Sequence, residues 1–310
     1  MKLTKLLAML AFASVLMLTS CEDDPVDPVD EYTKPAAPTA FMANSFNTAG
    51  DEATISLKWT ASTDEGTNNF SNYELTVLNS DGAPVGDKID ITTENPYTMD
   101  ATSLDQGTVY TFELRAVNPD FVSDPAVIKW SPAWRFTEDS GFPIELYGSQ
   151  SNYGSGLQFY SGTAEPAVLT VGEGANWNIG FDDKDGKLVI GSASQLSYSI
   201  TPKDAEIFDV PWEGVNLNTQ YFSKALNDAS YTYSASTIDL TQYNSDIVFL
   251  ARVETSVGTN VYNYVRVFVD YDEANNTFVR DAGTSNQFII VELSYQAEVD
   301  VPYAKTAQAK

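Results

Sequence analysis

Apolar and polar residues alternate along several short stretches of the chain. Ile55, Leu57 and Trp59 are separated by polar positions, and two later stretches repeat the pattern. Because successive side chains of a strand point to opposite faces, this period of two predicts half-buried β-strands. Apolar positions at the helical period are scarce after residue 22, so the pattern predicts an all-β protein. The later stretches are Tyr73, Leu75 and Val77, and Tyr110, Phe112, Leu114 and Ala116.

Turn-forming residues separate these stretches in the first part of the chain. Gly, Asn, Asp and Ser cluster at 64–69 and at 80–82, and these residue types favour the backbone conformations of tight turns. About seven short strands joined by turns within about 100 residues are typical of an antiparallel β-sandwich. The first part of the chain is therefore predicted to form such a sandwich.

The segment 104–118 carries a family resemblance. It reads LDQGTVYTFELRAVN and resembles the late strands of fibronectin type III domains, in which a Leu, a Gly-Thr turn and a Tyr precede an alternating strand that ends in Ala-Val-Asn. Gln106 stands where the family usually has proline. Trp59 matches the core tryptophan of the family's second strand, and Pro35 and Pro38 match its proline-rich beginning.

The resemblance implies a fibronectin type III-like sandwich over residues 35–138. It also implies structural roles for Trp59 in the core and for Tyr110, whose hydroxyl would bond to the backbone at a corner of the sandwich. Fold alone does not assign an activity. In bacterial surface proteins such domains usually act as spacers, and that is the role we expect here.

The rest of the chain, residues 140–310, shows no repeat of these motifs and resembles no known family. Ser140, Gly141 and Pro143 predict a hinge before it. Its alternating segments predict a second β-sandwich or a jelly roll that serves as a β-rich binding domain. Expected strands are 167–171, 177–181, 188–191, 196–200, 247–253, 261–270 and 287–295, with a loop or irregular edge at 147–162 and a short helix at 218–226.

The N-terminal stretch has the organisation of a secretion signal. Lys2 and Lys5 precede an almost wholly apolar run over 6–18, which is shorter than the roughly 20 residues of a membrane-spanning helix. The sequence Leu-Thr-Ser that ends at Ser20 and the following Cys21 resemble a bacterial lipobox. The resemblance implies that residues 1–20 are a lipoprotein signal peptide and that Cys21 carries lipid. An ordinary signal peptide with an incidental cysteine is the alternative.

The residues after Cys21 extend this resemblance. Glu22, Asp23 and Asp24 resemble the surface-export signal of Bacteroidetes lipoproteins, and a solvated linker is the alternative. Residues 21–34 are rich in proline and acid, which predicts an extended tether. Together these features imply a lipid-anchored protein of the cell outer membrane that faces the exterior, although a periplasmic orientation stays open.

Charge and composition narrow the function further. The formal net charge of −26 opposes binding to nucleic acid, whose phosphates are also negative. The chain has no histidine and a single cysteine. Ser-His-Asp and Cys-His catalysis, histidine-ligated metal sites and an intrachain disulfide are therefore excluded. No resident cofactor is expected.

Aromatic residues are the main candidates for ligand binding in the second domain. Trp212, Tyr153, Tyr160 and Tyr231 lie in polar or glycine-rich segments. Aromatic rings stack on the apolar faces of sugars while neighbouring polar groups bond the hydroxyls. Trp212 follows a proline and precedes Glu-Gly, which predicts an exposed turn. Packing in the core or at a sheet edge is the alternative for each residue.

Acidic residues offer a second kind of site. The run 182–186 reads Asp-Asp-Lys-Asp-Gly, and Asp183 and Asp185 are spaced as at the start of a calcium-binding loop. The later Glu of that loop is missing, and an Asp-Gly hairpin turn is the alternative. A glycoside hydrolase needs only two carboxylates, but no pair stands out, so we expect no enzyme.

The sequence therefore favours a non-catalytic surface lipoprotein that binds glycan through its C-terminal domain, with the first domain as spacer. This layout resembles the accessory lipoproteins of Bacteroidetes glycan-uptake systems, which pair with an outer-membrane transporter. An adhesin or a structural, fimbria-associated protein is the alternative; it would bind protein partners through strand edges or apolar patches. A glycoside hydrolase is the third interpretation.

Overall fold

The computed structural model describes residues 32–44, 54–138, 141–160, 165–215 and 224–304. Within these ranges the chain forms nineteen β-strands and a few short 3-10 turns, so the predicted all-β class is confirmed. The signal peptide, Cys21, the export residues Glu22, Asp23 and Asp24, and most of the tether lie outside the described residues. No helix in the described ranges is long and apolar enough to span a membrane.

The first sandwich contains seven strands in two antiparallel sheets, β1-β2-β5 and β4-β3-β6-β7. Strict alternation of buried and half-buried positions in β3 and β6 places one face of each strand in the core. Its strands are β1 (Thr39–Asn44), β2 (Thr54–Thr60), β3 (Asn72–Leu78), β4 (Ile89–Ile91), β5 (Tyr97–Asp100), β6 (Tyr110–Val117) and β7 (Ala126–Trp130).

The expected structural residues of this sandwich are buried. Trp59 lies against Tyr73, with ring centroids 5.3 Å apart, and both belong to the core. The hydroxyl of Tyr110 accepts a hydrogen bond from the backbone N–H of Asp105 at 2.9 Å. This bond ties the start of β6 to the preceding turn, as the family resemblance implies for a corner tyrosine.

The second sandwich packs a five-stranded sheet, β11-β10-β12-β13-β15, against a larger sheet built around β14-β16-β17-β19. Its strands are β8 (Trp134–Phe136), β9 (Ile144–Tyr147), β10 (Gly156–Gln158), β11 (Ala167–Leu169), β12 (Ile179–Asp182), β13 (Val189–Ser192), β14 (Ala205–Glu213), β15 (Thr237–Asp239), β16 (Ile247–Glu254), β17 (Tyr262–Val269), β18 (Val279–Arg280) and β19 (Phe288–Tyr295). Its 3-10 turns are Val171–Asn176, Lys184–Gly186, Ala193–Gln195 and Leu240–Gln242.

Two sequence predictions for this region are wrong, and the strand β14 is missing from them. The strand expected at 196–200 does not form, and Leu196 follows a 3-10 turn. The loop or irregular edge expected at 147–162 contains β10. The strand β14 was not predicted, because its pairing with β16 shifts register between Phe208 and Trp212, around Pro211, and the shift breaks the alternating pattern. Most of the helix expected at 218–226 lies outside the described residues.

The two sandwiches are joined along a seam. β8 follows β7 after three residues and already pairs with β19, opposite Leu293–Tyr295. Gly141 and Pro143, expected at the hinge, instead connect β8 to β9, and both of these strands pair with β19. The chain therefore passes from one sandwich to the other at residues 131–133.

The C-terminal segment closes this seam. After β19 the chain returns to the first sandwich, where Val301 and Tyr303 are buried in its core. The side-chain amide of Gln296 donates to the carbonyls of Ser131 and Tyr303, both at 2.8 Å. Burial, partly offset by a hydrogen bond with the Ala43 backbone, raises the pKa of Tyr303 to about 12. The core of the first sandwich thus includes residues from the far end of the chain.

Candidate functional site

The four aromatic residues predicted to bind ligand lie at three separate places on the second sandwich. Trp212 and Tyr231 share one cluster with Phe208. Tyr160 lines a cleft of about 540 Å³. Tyr153 lies in a third place, against Tyr147. The structure therefore brings together two of the four residues and separates the rest.

The Trp212 cluster packs against the outer face of the larger sheet. Trp212 lies 5.7 Å from Phe208 and 6.3 Å from Tyr231 between ring centroids. All three rings are half-buried over Val248 and Leu250. Trp212 belongs to β14, so the prediction that it lies in an exposed turn is wrong. Much of this cluster's aromatic surface is used in packing.

Tyr160 is also partly covered by its neighbours. Its ring stacks on Trp134 with centroids 5.6 Å apart and an interplanar angle of 24°, and it contacts Tyr295 at 5.2 Å. Polar residues complete the cleft that it lines, which we call the Tyr160 cleft. They are Gln158, Lys203, Thr255, Asn263 and Glu298.

Tyr153 is the most exposed of the four aromatic residues, with 59% of its surface accessible. Its ring lies 4.7 Å from that of Tyr147, which in turn lies 5.3 Å from Phe288. Tyr147 and Phe288 face each other across β9 and β19. These three rings form a continuous row, which we call the aromatic ledge.

A cleft of about 880 Å³ adjoins the ledge at Phe288. We call it the ledge cleft. Glu145 lines it and accepts a hydrogen bond from the hydroxyl of Tyr147. That bond, together with burial, raises the pKa of Tyr147 to about 12, so this hydroxyl stays protonated at neutral pH. The remaining polar residues of its lining are Glu138, Asp272, Asn275, Thr277, Arg280, Asp281 and Thr284.

The charge of the ledge cleft is negative. Arg280 is the one cation among the described residues that line it, and it forms ion pairs with Asp270 and Asp272. Burial is the main cause that raises the pKa of Asp270, and Arg280 opposes it. A sugar has an apolar ring face and an edge of hydroxyl groups. The aromatic row can contact the ring face, and the carboxylates, amides and hydroxyls of the cleft can bond the hydroxyl groups.

Asp183 holds the loop that carries Tyr153. One carboxylate oxygen accepts from the backbone N–H of Ser149 at 2.7 Å, and the other accepts from the side-chain amide of Gln287 at 2.6 Å. Burial by itself raises the pKa of the Asp183 carboxyl, but these hydrogen bonds outweigh burial and hold that pKa below its usual value. Asp183 therefore ties the loop at 148–154 to the start of β19.

Two further features fix the same loop. Gly148 lies so close to Asp183 that a Cβ atom there would come within 2.1 Å of a carboxylate oxygen. The hydroxyl of Ser151 donates to the side-chain oxygen of Asn286 at 3.1 Å and accepts from the N–H of Tyr153 at 3.0 Å. The exposed tyrosine is thus presented by a loop that is bonded at several points.

The predicted calcium pair has a different setting from a calcium loop. Both oxygens of Asp183 accept hydrogen bonds from protein groups, whereas Asp185 is exposed on the turn between β12 and β13 with a φ of 56°. Among the described residues no group of three or more acidic or cysteine side chains is arranged to hold a metal ion. Calcium binding stays a prediction, and the run 182–186 connects two paired strands of a hairpin.

Sequence reasoning missed the partners of Tyr153. Ile144 and Leu146 recur at the period of a strand, a signal that predicts β9, and Tyr147 lies on the opposite face of that strand. Phe288 was expected only as part of the strand 287–295. Its side chain lies on the outer face of that strand, and the pairing of β19 with β9 that brings it to Tyr147 is a long-range contact.

Comparison with known proteins identifies the first sandwich. Residues 37–139 match the family model of the fibronectin type III domain, which confirms the resemblance found in the sequence. No curated protein matches the chain. The match covers the first sandwich and ends shortly after β8.

Two solved structures resemble parts of the chain. A crystal structure of the rat CD45 extracellular region, domains d3-d4, is 20% identical over 32% of this chain, with a TM-score of 0.25, and the chain spans 51% of its length. A two-domain fibronectin type III segment of chicken tenascin is 15% identical over 71% of this chain and 93% of its own, with a TM-score of 0.24. The family match and the fold together support a β-sandwich binding or spacer protein.

Proposed function

We propose that this protein is a non-catalytic surface lipoprotein that binds glycan at the aromatic ledge and ledge cleft. The observation that carries the proposal is the exposed ring of Tyr153, which continues a row of aromatic side chains to the wall of a polar cleft. The ring row receives the apolar faces of sugars, and the cleft supplies partners for their hydroxyls.

The ledge suits this role better than the other two aromatic groups. Much of the surface of Trp212 and Tyr231 is covered by packing against the sheet. Tyr160 contacts the rings of both Trp134 and Tyr295. Tyr153 keeps most of its surface in solvent, while hydrogen bonds fix its loop. A preformed ring loses little conformational entropy when a ligand binds.

The first sandwich acts as the spacer. Lys34, near the start of the first described range, bonds to Asp124 at 2.7 Å, just before β7. The second sandwich is joined just after β7, beyond Trp130. At about 3.3 Å per residue, β7 separates these ends by roughly 17 Å. A tether on Cys21 would therefore leave from one end of the sandwich and the ledge domain from the other.

The proposal also includes a lipid anchor at Cys21, a location on the exterior face of the outer membrane and a transporter as partner. They rest on the lipobox and export-signal resemblances. With the spacer and tether between anchor and ledge, a glycan bound at Tyr153 is held away from the bilayer. That position suits capture of a polysaccharide for a transporter in the same membrane.

The proposal is tested by affinity electrophoresis of residues 22–310 against neutral polysaccharides. Tyr153→Ala removes the exposed ring, and we expect a loss of about tenfold in affinity, the effect of a contact worth about 1.4 kcal/mol. Tyr153→Phe keeps the ring and should retain most of the affinity. Trp212→Ala is the matched control, because it removes an aromatic residue from a different cluster.

The outcomes separate the alternatives. A loss on Trp212→Ala with no effect of Tyr153→Ala would move the site to the Trp212 cluster. Retention by no polysaccharide would end the glycan proposal and favour the protein-binding alternative. The exposed Phe121 and Val122, between β6 and β7, are then the first surface to test for a protein partner. Release of reducing sugar would show an enzyme.

A further inference from the structure

We infer that the Tyr160 cleft is a second glycan-binding site, so that one chain of this protein holds two glycan segments at once. The inference rests on the proposed function, because it takes the same class of ligand. It concerns a different part of the second sandwich, and its failure would leave the ledge site intact.

The chemistry of the Tyr160 cleft matches that ligand. Within the described part of the chain, the side chains of Gln158, Lys203 and Glu298 form no hydrogen bond or ion pair with another residue, although all three line the cleft. An amide, an ammonium and a carboxylate supply both donors and acceptors. Sugar hydroxyls both donate and accept, so this mixture suits them. Tyr160 provides the aromatic wall.

The aromatic wall and the backbone at one side of the cleft are already fixed in the protein without ligand. Tyr160 is fixed between the rings of Trp134 and Tyr295, so the wall is positioned before any ligand arrives. Asn263 is buried and its amide donates to the carbonyls of Gln296 and Ala297, at 3.1 and 2.9 Å. These bonds fix the segment just after β19, and Glu298 is the next residue of that segment. The aromatic wall and the end of β19 are thus held around a volume of about 540 Å³.

The two clefts are too far apart to belong to one site. Phe288, at the ledge, begins β19, and Tyr295, at the Tyr160 cleft, ends it. At about 3.3 Å per residue the strand between them spans roughly 23 Å. Phe288 also lies on the opposite face of the sheet from Tyr295, which belongs to the core between the sheets. A short oligosaccharide therefore occupies one cleft and leaves the other free.

The experiment is isothermal titration of residues 22–310 with short linear oligosaccharides of α-glucan, β-glucan, mannan and xylan. With the oligosaccharide that binds, we expect two ligands per chain. At a ligand concentration that saturates only unaltered sites, the stoichiometry should fall to one in Tyr153→Ala, which weakens the ledge about tenfold. It should also fall to one in a Gln158→Ala, Lys203→Ala double variant, and combining the three substitutions should leave neither site saturated.

Controls keep the result separate from folding and from net charge. Tyr160 is left unchanged, because its ring supports Trp134 and Tyr295. Lys58→Ala in the first sandwich removes the same charge as Lys203→Ala at an exposed position, and it should retain both sites. Unchanged melting temperatures would show that the variants remain folded.

Each outcome decides between the two proposals. One ligand per chain, lost in Tyr153→Ala and unaffected by Lys203→Ala, would overturn the second site and leave the proposed function standing. One ligand lost only in the Gln158, Lys203 variant would overturn both the ledge site and the two-site arrangement. No binding by any oligosaccharide or by the parent polysaccharides would overturn the proposed function and this inference with it.

Discussion

Removal of the Asp183 carboxylate is the sharpest test of how the ledge is supported. In Asp183→Ala, the backbone N–H of Ser149 and the side-chain amide of Gln287 both lose their acceptor. The loop at 148–154 is then no longer tied to the start of β19 through this side chain. We expect lower stability, and weaker glycan binding through the loss of order in the loop that carries Tyr153.

The size of the effect follows from the two hydrogen bonds. A hydrogen bond to a charged group contributes about 1.5–3 kcal/mol. Because Asp183 is half-buried, water can replace part of the loss, and we expect about 2–3 kcal/mol in total. At roughly 2–4 °C per kcal/mol for a chain of this size class, the melting temperature should fall by about 4–12 °C.

The stabilisation by Asp183 also depends on pH in a defined direction. Its pKa is lower in the folded protein than in the unfolded chain. Its contribution is therefore complete above the unfolded value of about 4 and is lost as pH falls through the lower folded value. The difference in unfolding free energy between the wild type and Asp183→Ala should shrink across that acid range.

Chemical unfolding and hydrogen exchange measure these effects. Asp185→Asn is the matched control: it removes the same charge from the same turn, at an exposed position, and asparagine tolerates a positive φ. The amide of Ser149 should exchange faster in Asp183→Ala only. Equal stability and equal Ser149 exchange in the two variants would refute the claim that Asp183 holds the ledge loop.

Two other predictions follow from features described above. Tyr303→Ala should destabilise the protein by about 3–5 kcal/mol, as for a large buried aromatic residue, with faster hydrogen exchange in β1 and β7 of the first sandwich; protection lost only in the second sandwich would contradict the shared core. The acidic ledge cleft should bind a neutral polysaccharide more tightly than its carboxylated derivative, and added salt should narrow the difference; a preference for the acidic polymer would show that the cleft charges do not govern selectivity.

The sequence predicted the regular elements well and the site only in part. The strict alternation of β3 and β6 made the first sandwich recognisable. The strand β14 was not predicted, because Pro211 and a register shift interrupt its alternating pattern. Such irregularity depends on pairing with another strand and has no local signal.

The aromatic ledge also depends on contacts between distant segments that the local sequence does not reveal. Tyr153 was predicted from its local setting of polar and glycine residues, a feature of the neighbouring sequence. Its partner Phe288 and its support Asp183 come from distant segments that meet only when β9 pairs with β19 and the β12–β13 hairpin packs beside them. The sequence offers Asp183 as a candidate calcium ligand, with a hairpin turn as the alternative, because local spacing cannot reveal that Ser149 and Gln287 donate to its oxygens.

The return of the C-terminal segment to the first sandwich has a consequence for how the protein matures. A chain synthesised from its N-terminus presents residues 35–138 first, and domains usually fold in that order. Here Val301 and Tyr303 belong to the first core, so the earliest sandwich stays incomplete until almost the whole chain has emerged. The first core is therefore complete only when the second sandwich is already in place. A chain truncated before Val301 leaves that core incomplete, so both sandwiches can be recognised by cellular quality control.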